Sequence, residues 1–406
     1  MKTIAIAGTF DTKGTELVYV KELIEDLGLK TFTINTGVFE SEVSVDVSNS
    51  EVAKAADADI NEIVEKKDRA LATEILSNGM LKLVPKLYKE GKFNGIISFG
   101  GTGGTSMVTP AMRALPIGVP KVMVSTVASG DTSFYVGTSD LVMMPSVVDV
   151  AGLNSISTEI FINAVHAIVG MVKYKDNRKF DKKPTIATTM FGVTTPAVNF
   201  AKEYLENRGY EVLVFHATGV GGRTMEDLIG SGLIEGVLDL TTTEWCDEIV
   251  GGVLAAGPHR LEAAAKNNIP QVISVGALDM VNFGSIDTVP KKFKERNLYK
   301  HNPSVTLMRT TIEENEKIGN KIAEKLNMAT GNTVLMIPLK GVSAIDVEGQ
   351  VFYGKKEDRM LFDTLRKNIN KDVVEIIEKD NSINDKEFAE AAAQKLIDLM
   401  QAKKKK

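Results

Sequence analysis

Short apolar runs recur along the chain, each closed by glycine- or threonine-rich sequence and followed by residues with helical apolar spacing. Lys2-Thr3-Ile4-Ala5-Ile6-Ala7-Gly8 opens the series, and Gly95–Phe99 and Val122–Thr126 continue it. Gly236–Leu240, Gln271–Val275 and Thr333–Ile337 repeat it in the second half. Runs of this length bounded by turn residues read as strands. Strands alternating with helices leave room for the crossovers that parallel pairing needs, so the pattern predicts mainly parallel sheets flanked by helices. Ser106–Leu115 reads as a helix and Val52–Gly79 as a polar, helix-rich cap or insertion. Glu387–Met400 reads as an amphipathic terminal helix, expected to pack across the other domain or a partner subunit.

The pattern also echoes itself, since Lys2 to Gly37 lies without gaps over Pro184 to Gly219. Each segment runs from a Thr-Ile-Ala strand through a threonine-bearing loop and an amphipathic helix to a second strand ending in Thr-Gly, at Thr36-Gly37 and Thr218-Gly219. A charged, turn-rich stretch, Tyr174 to Pro184, stands between the two halves. The expectation is an α/β protein of two Rossmann-like domains, residues 1–178 and 184–406, the first binding a nucleotide and the second serving substrate or regulation. A chain of 406 residues also exceeds the size at which one core keeps growing.

Composition narrows the function classes. An apolar fraction of 43%, a charged fraction of 25% and a net charge of −5 suit a soluble globular protein and give no reason to expect a nucleic acid partner. The single cysteine, Cys246, can form no internal disulfide, and no paired zinc-ligand spacing is present. The apolar start is too short for a signal or membrane segment, so a cytoplasmic protein with no membrane partner is expected. Lys403 to Lys406 reads as a solvated tail.

In an open parallel sheet, ligands bind beyond the carboxyl ends of the strands. Four loops of the first half should reach that edge: Gly8-Thr9-Phe10-Asp11-Thr12-Lys13-Gly14, Thr36-Gly37, Gly100-Gly101-Thr102-Gly103-Gly104-Thr105, and Ser125-Thr126-Val127-Ala128-Ser129-Gly130-Asp131-Thr132. The glycines allow close backbone approach and an amide nest for phosphate, and the following helix would add free amides and the positive end of its dipole. The first loop is neither a Walker A sequence nor a GxGxxG fingerprint, although Lys13 could neutralise a phosphate. Asp11, Asp46, Asp131 and Asp140 are all candidates for Mg²⁺, and Asp46 and Asp140 read equally as helix caps.

The second half offers acid/base and guanidinium types at Arg223, Glu244, His259, Arg260, Asp279, His301, Arg309 and Lys340. They make a candidate pocket for an anionic small molecule; the competing reading is capping and ion pairing. Cys246 and Trp245 read as packing.

Several of these segments carry a family likeness. GTFDTKG at Gly8–Gly14, GGTGGT at Gly100–Thr105, STVASG at Ser125–Gly130 and VAGLN at Val150–Asn154 resemble the family of the ATP-binding N-terminal region of the tomato mosaic virus resistance protein. So do GGRTME at Gly221–Glu226, GALDMVNF at Gly276–Phe283, TLMRTT within Val305–Thr311 and PLKGVSAID at Pro338–Asp346. The resemblance implies ATP, with Mg²⁺, at the first domain and a homodimer. Its nucleotide site would draw on Gly8, Thr9, Asp11, Thr12, Lys13, Gly37, Gly100 to Thr105, and Ser125, Thr126, Ser129, Gly130, Asp131 and Thr132. Three functions are then expected to compete: an ATP-dependent enzyme acting on a small metabolite, a non-catalytic ATP-sensing dimeric scaffold, and a sugar-acid enzyme with its active site in the second domain.

Overall fold

A computed structural model describes residues 1–175 and 183–404. Most of the expected boundary stretch Tyr174–Pro184, and the last two lysines of the expected tail, lie outside the described residues. The chain divides into two compact units, Met1–Arg178 and Lys179–Lys406.

In the first unit, strands Thr3–Gly8 (β1), Lys30–Asn35 (β2), Gly95–Gly100 (β3), Lys121–Ser125 (β4) and Val142–Pro145 (β5) pair in the order β2-β1-β3-β4-β5. Every ladder is parallel. The helices are Gly14–Asp26 (α1), Asn49–Ala55 (α2), Ile60–Lys66 (α3), Arg69–Lys89 (α4), Thr102–Arg113 (α5), Ser133–Val136 (α6) and Ser155–Lys173 (α7). β1, β3 and β4 are buried on both faces, which is why each reads as a continuous apolar run. Ile4, Ile6, Phe99 and Val124 point into a core shared with α1 and α7. Ala5, Ala7, Ile96 and Met123 point into the opposite core, under α4 and α5. By length and composition α7 is apolar enough to cross a membrane, and its face Phe161, Ala164, Val165 and Ile168 is buried in the first of these cores.

Local chemistry sets the helical insertion in place. Lys67 ends α3 in the left-handed conformation, and the Asp68 carboxylate accepts the amides of Ala70 and Leu71 to start α4. The turn between the two helices therefore holds Lys67 and Arg69 at its tip.

The second unit holds a six-stranded parallel sheet of Thr185–Met190 (β6), Glu211–His216 (β7), Gly236–Thr241 (β8), Gln271–Gly276 (β9), Thr333–Pro338 (β13) and Val374–Lys379 (β14), ordered β14-β13-β9-β8-β6-β7. Between β9 and β13 the chain adds an antiparallel sheet of Met280–Phe283 (β10), Leu298–Asn302 (β11) and Val305–Arg309 (β12), ordered β10-β12-β11. Helices Thr195–Glu206 (α8), Val220–Gly230 (α9), Glu244–Val250 (α10), Ala263–Lys266 (α11), Ile312–Leu326 (α12), Lys355–Asn368 (α13) and Lys386–Lys404 (α14) complete it.

The protein is thus α/β with two mainly parallel sheets flanked by helices, as two Rossmann-like domains require. In each sheet the second strand lies to one side of the first and the third to the other, so chain order reverses between β1 and β3 and between β6 and β8. The terminal helix differs from expectation. α14 packs inside its own unit, where Phe388, Ala392 and Leu396 meet Ala197, Val198 and Leu205 of α8 and the strand residues Leu238 and Val272.

Candidate functional site

A cleft of about 530 Å³ opens in the first unit at the carboxyl edge of the sheet, where chain order reverses. That size lies within the range of small-molecule sites, and the position is where open α/β sheets take their ligands. Thr9, Asp11 and Thr12 after β1, Thr36 and Gly37 after β2, and Gly103 and Gly104 at the start of α5 face the α3–α4 insertion across it.

Asn35 fixes the loops. Its buried Oδ1 accepts the amides of Phe10 and Gly37, and its Nδ2 donates to the Phe39 carbonyl. The Gly8 carbonyl accepts from Phe10 and Thr36, joining the ends of β1 and β2. Gly37 leaves room for Asp11, because a Cβ there would come within 2.0 Å of Asp11 Oδ1. Asp11 Oδ2 accepts the Phe39 amide.

Two buried oxygens of the cleft, Thr36 Oγ1 and Asp11 Oδ1, have no hydrogen-bond partner among the described residues. Buried polar atoms are rarely left so, which makes these two sites for a ligand or solvent group. The first turn of α5 adds donors. Gly101 caps the helix with no side-chain hydrogen bond, so the amides that open it are satisfied by nothing in the cap. Lys67 and Arg69 line the cleft without an ion-pair partner among the described residues. Arg69 Nη2 lies 3.6 Å from where a side chain on Gly103 would begin. Phe39, 60% exposed, stands among the lining residues as an uncovered aromatic ring.

Of the residues expected from sequence, Thr9, Asp11, Thr12, Gly37, Gly103 and Gly104 line this cleft. Gly8 packs against Leu17, Gly100 against the backbone of Gly104, and Gly101 and Thr102 form the end of α5. Thr105 and Ser125 are buried and share a 2.6 Å hydroxyl hydrogen bond that ties α5 to β4. Thr126 Oγ1 lies 3.7 Å from the position of a Gly101 side chain. Ser129, Gly130 and Asp131 lie exposed and Thr132 half-buried beyond it, none of them lining the cleft, and Asp131 accepts the Ser133 amide. Lys13 does not line the cleft either: its ammonium donates to the Val150 carbonyl. The positive groups come instead from Lys67 and Arg69, which sequence reasoning passed over because they belong to the insertion.

The acidic candidates for a metal separate in the same way. Asp46 accepts from the Thr33 amide and hydroxyl, and Asp140 accepts the Gly118 amide and pairs with Lys121. Asp11 alone of the four keeps an uncommitted oxygen in the cleft. Among the described residues no group of three or more His, Cys, Asp and Glu could hold a metal ion.

In the second unit the Thr218–Arg223 loop looks like a second anion cradle, but the chain fills it. Glu244 Oε1 accepts the amides of Gly219 and Gly222 at 2.7 and 3.1 Å, and a Cβ on Gly222 would lie 2.2 Å from Glu244 Oε2. Arg260 holds Glu244 through Nε at 2.7 Å and forks onto Asp239 at 2.5 and 2.9 Å. It also reaches Glu226 at 3.3 Å. Arg260, Asp239 and Glu244 are all buried. Burial pushes Glu226 above the usual carboxylate range, and the surrounding carboxylates raise Arg260 against its own burial.

A second buried cluster gathers residues from three of the sequence motifs. Arg309 Nη2 donates to Asp346 at 3.1 Å and Asp358 at 2.7 Å, while Ser343 Oγ donates to Asp279 at 2.8 Å. Burial raises Asp279 to about 6 and, with the neighbouring Asp279 and Asp358, Asp346 to about 9. Asp279 Oδ1 and Arg309 Nε have no hydrogen-bond partner among the described residues. Glu244 with Arg260, and Asp279 with Arg309, are thus brought together as two ionic clusters. The other four candidates stand apart from both. His259 is 82% exposed in its side chain and meets Glu262, and His301 is exposed on β11. Lys340 pairs with Asp380, and Arg223 donates to the Ala255 carbonyl. Cys246 is buried and donates to the Leu278 carbonyl, with burial pushing its thiol up.

Comparison with known proteins finds relatives over nearly the whole length of the chain. The model of the N-terminal domain of an uncharacterised protein family, UPF0261, matches residues 2–177, and that of its C-terminal domain residues 183–400. A UPF0261 protein of Clostridium tetani is 59% identical over 98% of this chain and 99% of its own length. One from Rhizobium meliloti is 46% identical over 97% of this chain and 98% of its own. The ToMV resistance protein Tm-1(GCR237) of Solanum lycopersicum is 43% identical over 97% of this chain, which spans 55% of the tomato protein.

Proposed function

The chain belongs to the uncharacterised protein family UPF0261, and from that footing we propose that its first unit binds an adenine nucleotide in the cleft between the β1 and β3 loops. The observation that carries the reading is the buried, unpartnered Thr36 hydroxyl in a cleft that also offers the open first turn of α5. Helix-terminal amides favour a phosphate through both their free donors and the dipole. Arg69 and Lys67 supply opposing charge, and a guanidinium can grip two phosphate oxygens at once. Phe39 offers a face on which a base stacks.

Mg²⁺ fits the same picture modestly. It commonly takes one or two carboxylates alongside phosphate oxygens and water, and Asp11 has one uncommitted oxygen in the cleft. Asp11 would hold the ion, which would neutralise phosphate charge.

An ATP-dependent reaction on a small metabolite is the favoured use of such a site, because cations set against free amides suit phosphate charge that changes during transfer. The competing use is sensing, in which occupancy alone is read out. Titration calorimetry with ATP, ADP, adenosine and tripolyphosphate, with and without Mg²⁺, tests the binding. ATP should bind most tightly and adenosine weakly. No heat with ATP at millimolar concentration refutes the proposal. Phosphate release or transfer measured in the same samples separates the enzyme from the sensor.

A further inference from the structure

A cleft of about 830 Å³ opens in the second unit, between one face of α13 and the loops that follow β13 and β14. It too lies at the carboxyl ends of parallel strands, where this architecture presents side chains to ligands. Lys340, Lys355, Arg359 and Arg366 stand among its lining residues. Lys340 and Arg359 are well exposed and hold Asp380 and Asp363 at the surface, pairings that an incoming anion can exchange at little cost. Asp358 lines the same cleft from the first turn of α13 and is 9% exposed.

Asp358 is the outward member of the Arg309 cluster. Arg309 of β12 donates to it, Asp346 of the loop after β13 hydrogen-bonds to it, and Asp279 of the loop after β9 lies behind. Glu357 is its neighbour on α13, and Glu348 and Asp385 share the cleft with the four cations. Three carboxyl groups around one guanidinium cannot all ionise in a buried setting, so the set retains a proton at neutral pH.

The geometry points to a binding site for a small dianionic metabolite, phosphorylated or carboxylated, held by the rim cations above the Asp358 carboxyl group. An anion arriving beside this cluster disfavours further negative charge on it, so binding takes up protons. The site does not depend on nucleotide binding by the first unit.

Titration calorimetry of the full chain near pH 7 with inorganic phosphate, 3-phosphoglycerate and malonate, each in two buffers of different ionisation enthalpy, tests this. The Arg69→Ala background, run alongside, separates any phosphate heat from the first unit. Binding with net proton uptake is expected, and phosphate against malonate tells which headgroup the rim prefers. Lys340→Gln with Arg359→Gln should weaken binding at least tenfold, both positions being exposed and tolerant of change. Asp358→Asn should keep binding but lose the proton uptake, an effect that loss of packing would not mimic. No heat with any of the three anions, affinity indifferent to the rim substitutions, or unchanged proton uptake in Asp358→Asn each overturns the proposal.

Discussion

Arg260→Ala separates a structural from a ligand-holding role for the most connected arginine of the second unit. Arg260 is buried, bonded through Nε and both terminal nitrogens to Glu244 and Asp239, and near Glu226. Its removal leaves two buried carboxylates without their cation, although Glu244 keeps the amides of Gly219 and Gly222. Breaking a buried pair from one side costs about 3–5 kcal/mol, against a total stability of roughly 5–15 kcal/mol for a typical domain. For a unit of this size that corresponds to a drop of roughly 6–20 °C in the unfolding midpoint. The single tryptophan of the chain, Trp245, is buried next to Glu244, so its fluorescence follows the second unit selectively. Neutralising the set together, with Arg260→Met, Asp239→Asn and Glu244→Gln, should be less harmful than the single change, because only Glu226, still held by the amides of Leu261 and Ala263, then keeps a charge. A midpoint within about 1 °C of wild type for Arg260→Ala would refute the reasoning, since that tolerance belongs to an exposed, substrate-holding arginine.

Other outcomes follow from the same geometry. Arg69→Ala should weaken ATP and tripolyphosphate alike by roughly 10- to 100-fold in calorimetry, the worth of a charge-assisted hydrogen bond, with a shallower dependence on salt. Phe39→Ala should weaken ATP by about tenfold and leave tripolyphosphate unchanged, because only a base can use the ring. Asp346→Asn should gain stability relative to wild type in urea unfolding as pH rises from about 4 to about 9. In that window the folded wild type holds a proton that its unfolded chain releases, so wild-type stability falls with pH through this group, while the asparagine variant is exempt. Parallel curves for the two proteins across that range would contradict the placement of Asp346 among buried carboxylates.

The strands buried on both faces were legible because double burial writes an unbroken apolar run, as in Gly95–Gly100 and Gln271–Gly276. β11 was not, since Leu-Tyr-Lys-His-Asn is polar and largely exposed, and only its ladder with β12 makes it a strand. β5 is four residues long and half-exposed at the sheet edge. The start of α5 was misplaced to Ser106 because Gly103 and Gly104 each disfavour helix by about 1 kcal/mol. Burial of Thr105, Met107, Val108 and Met112 outweighs that, and the helix begins at Thr102. The glycine loops of the cleft could be read from spacing, but its cations could not, because nothing local tells that a turn at Lys67 to Arg69 folds over the edge of a distant sheet. Asp346 and Asp358 join Arg309 only through tertiary packing.

The two halves differ in how a helix terminus at the carboxyl edge of the sheet is filled. In the second, Glu244 is tethered to the amides of Gly219 and Gly222 by the polymer itself, so its local concentration is fixed and nothing in the surrounding solution can dilute it away. In the first, the helix end that opens on the cleft, at the start of α5, is furnished by no side-chain cap of its own and stays open to solutes of the medium. That terminus of the second half therefore carries a permanent guest, while the one in the first is open to what surrounds it.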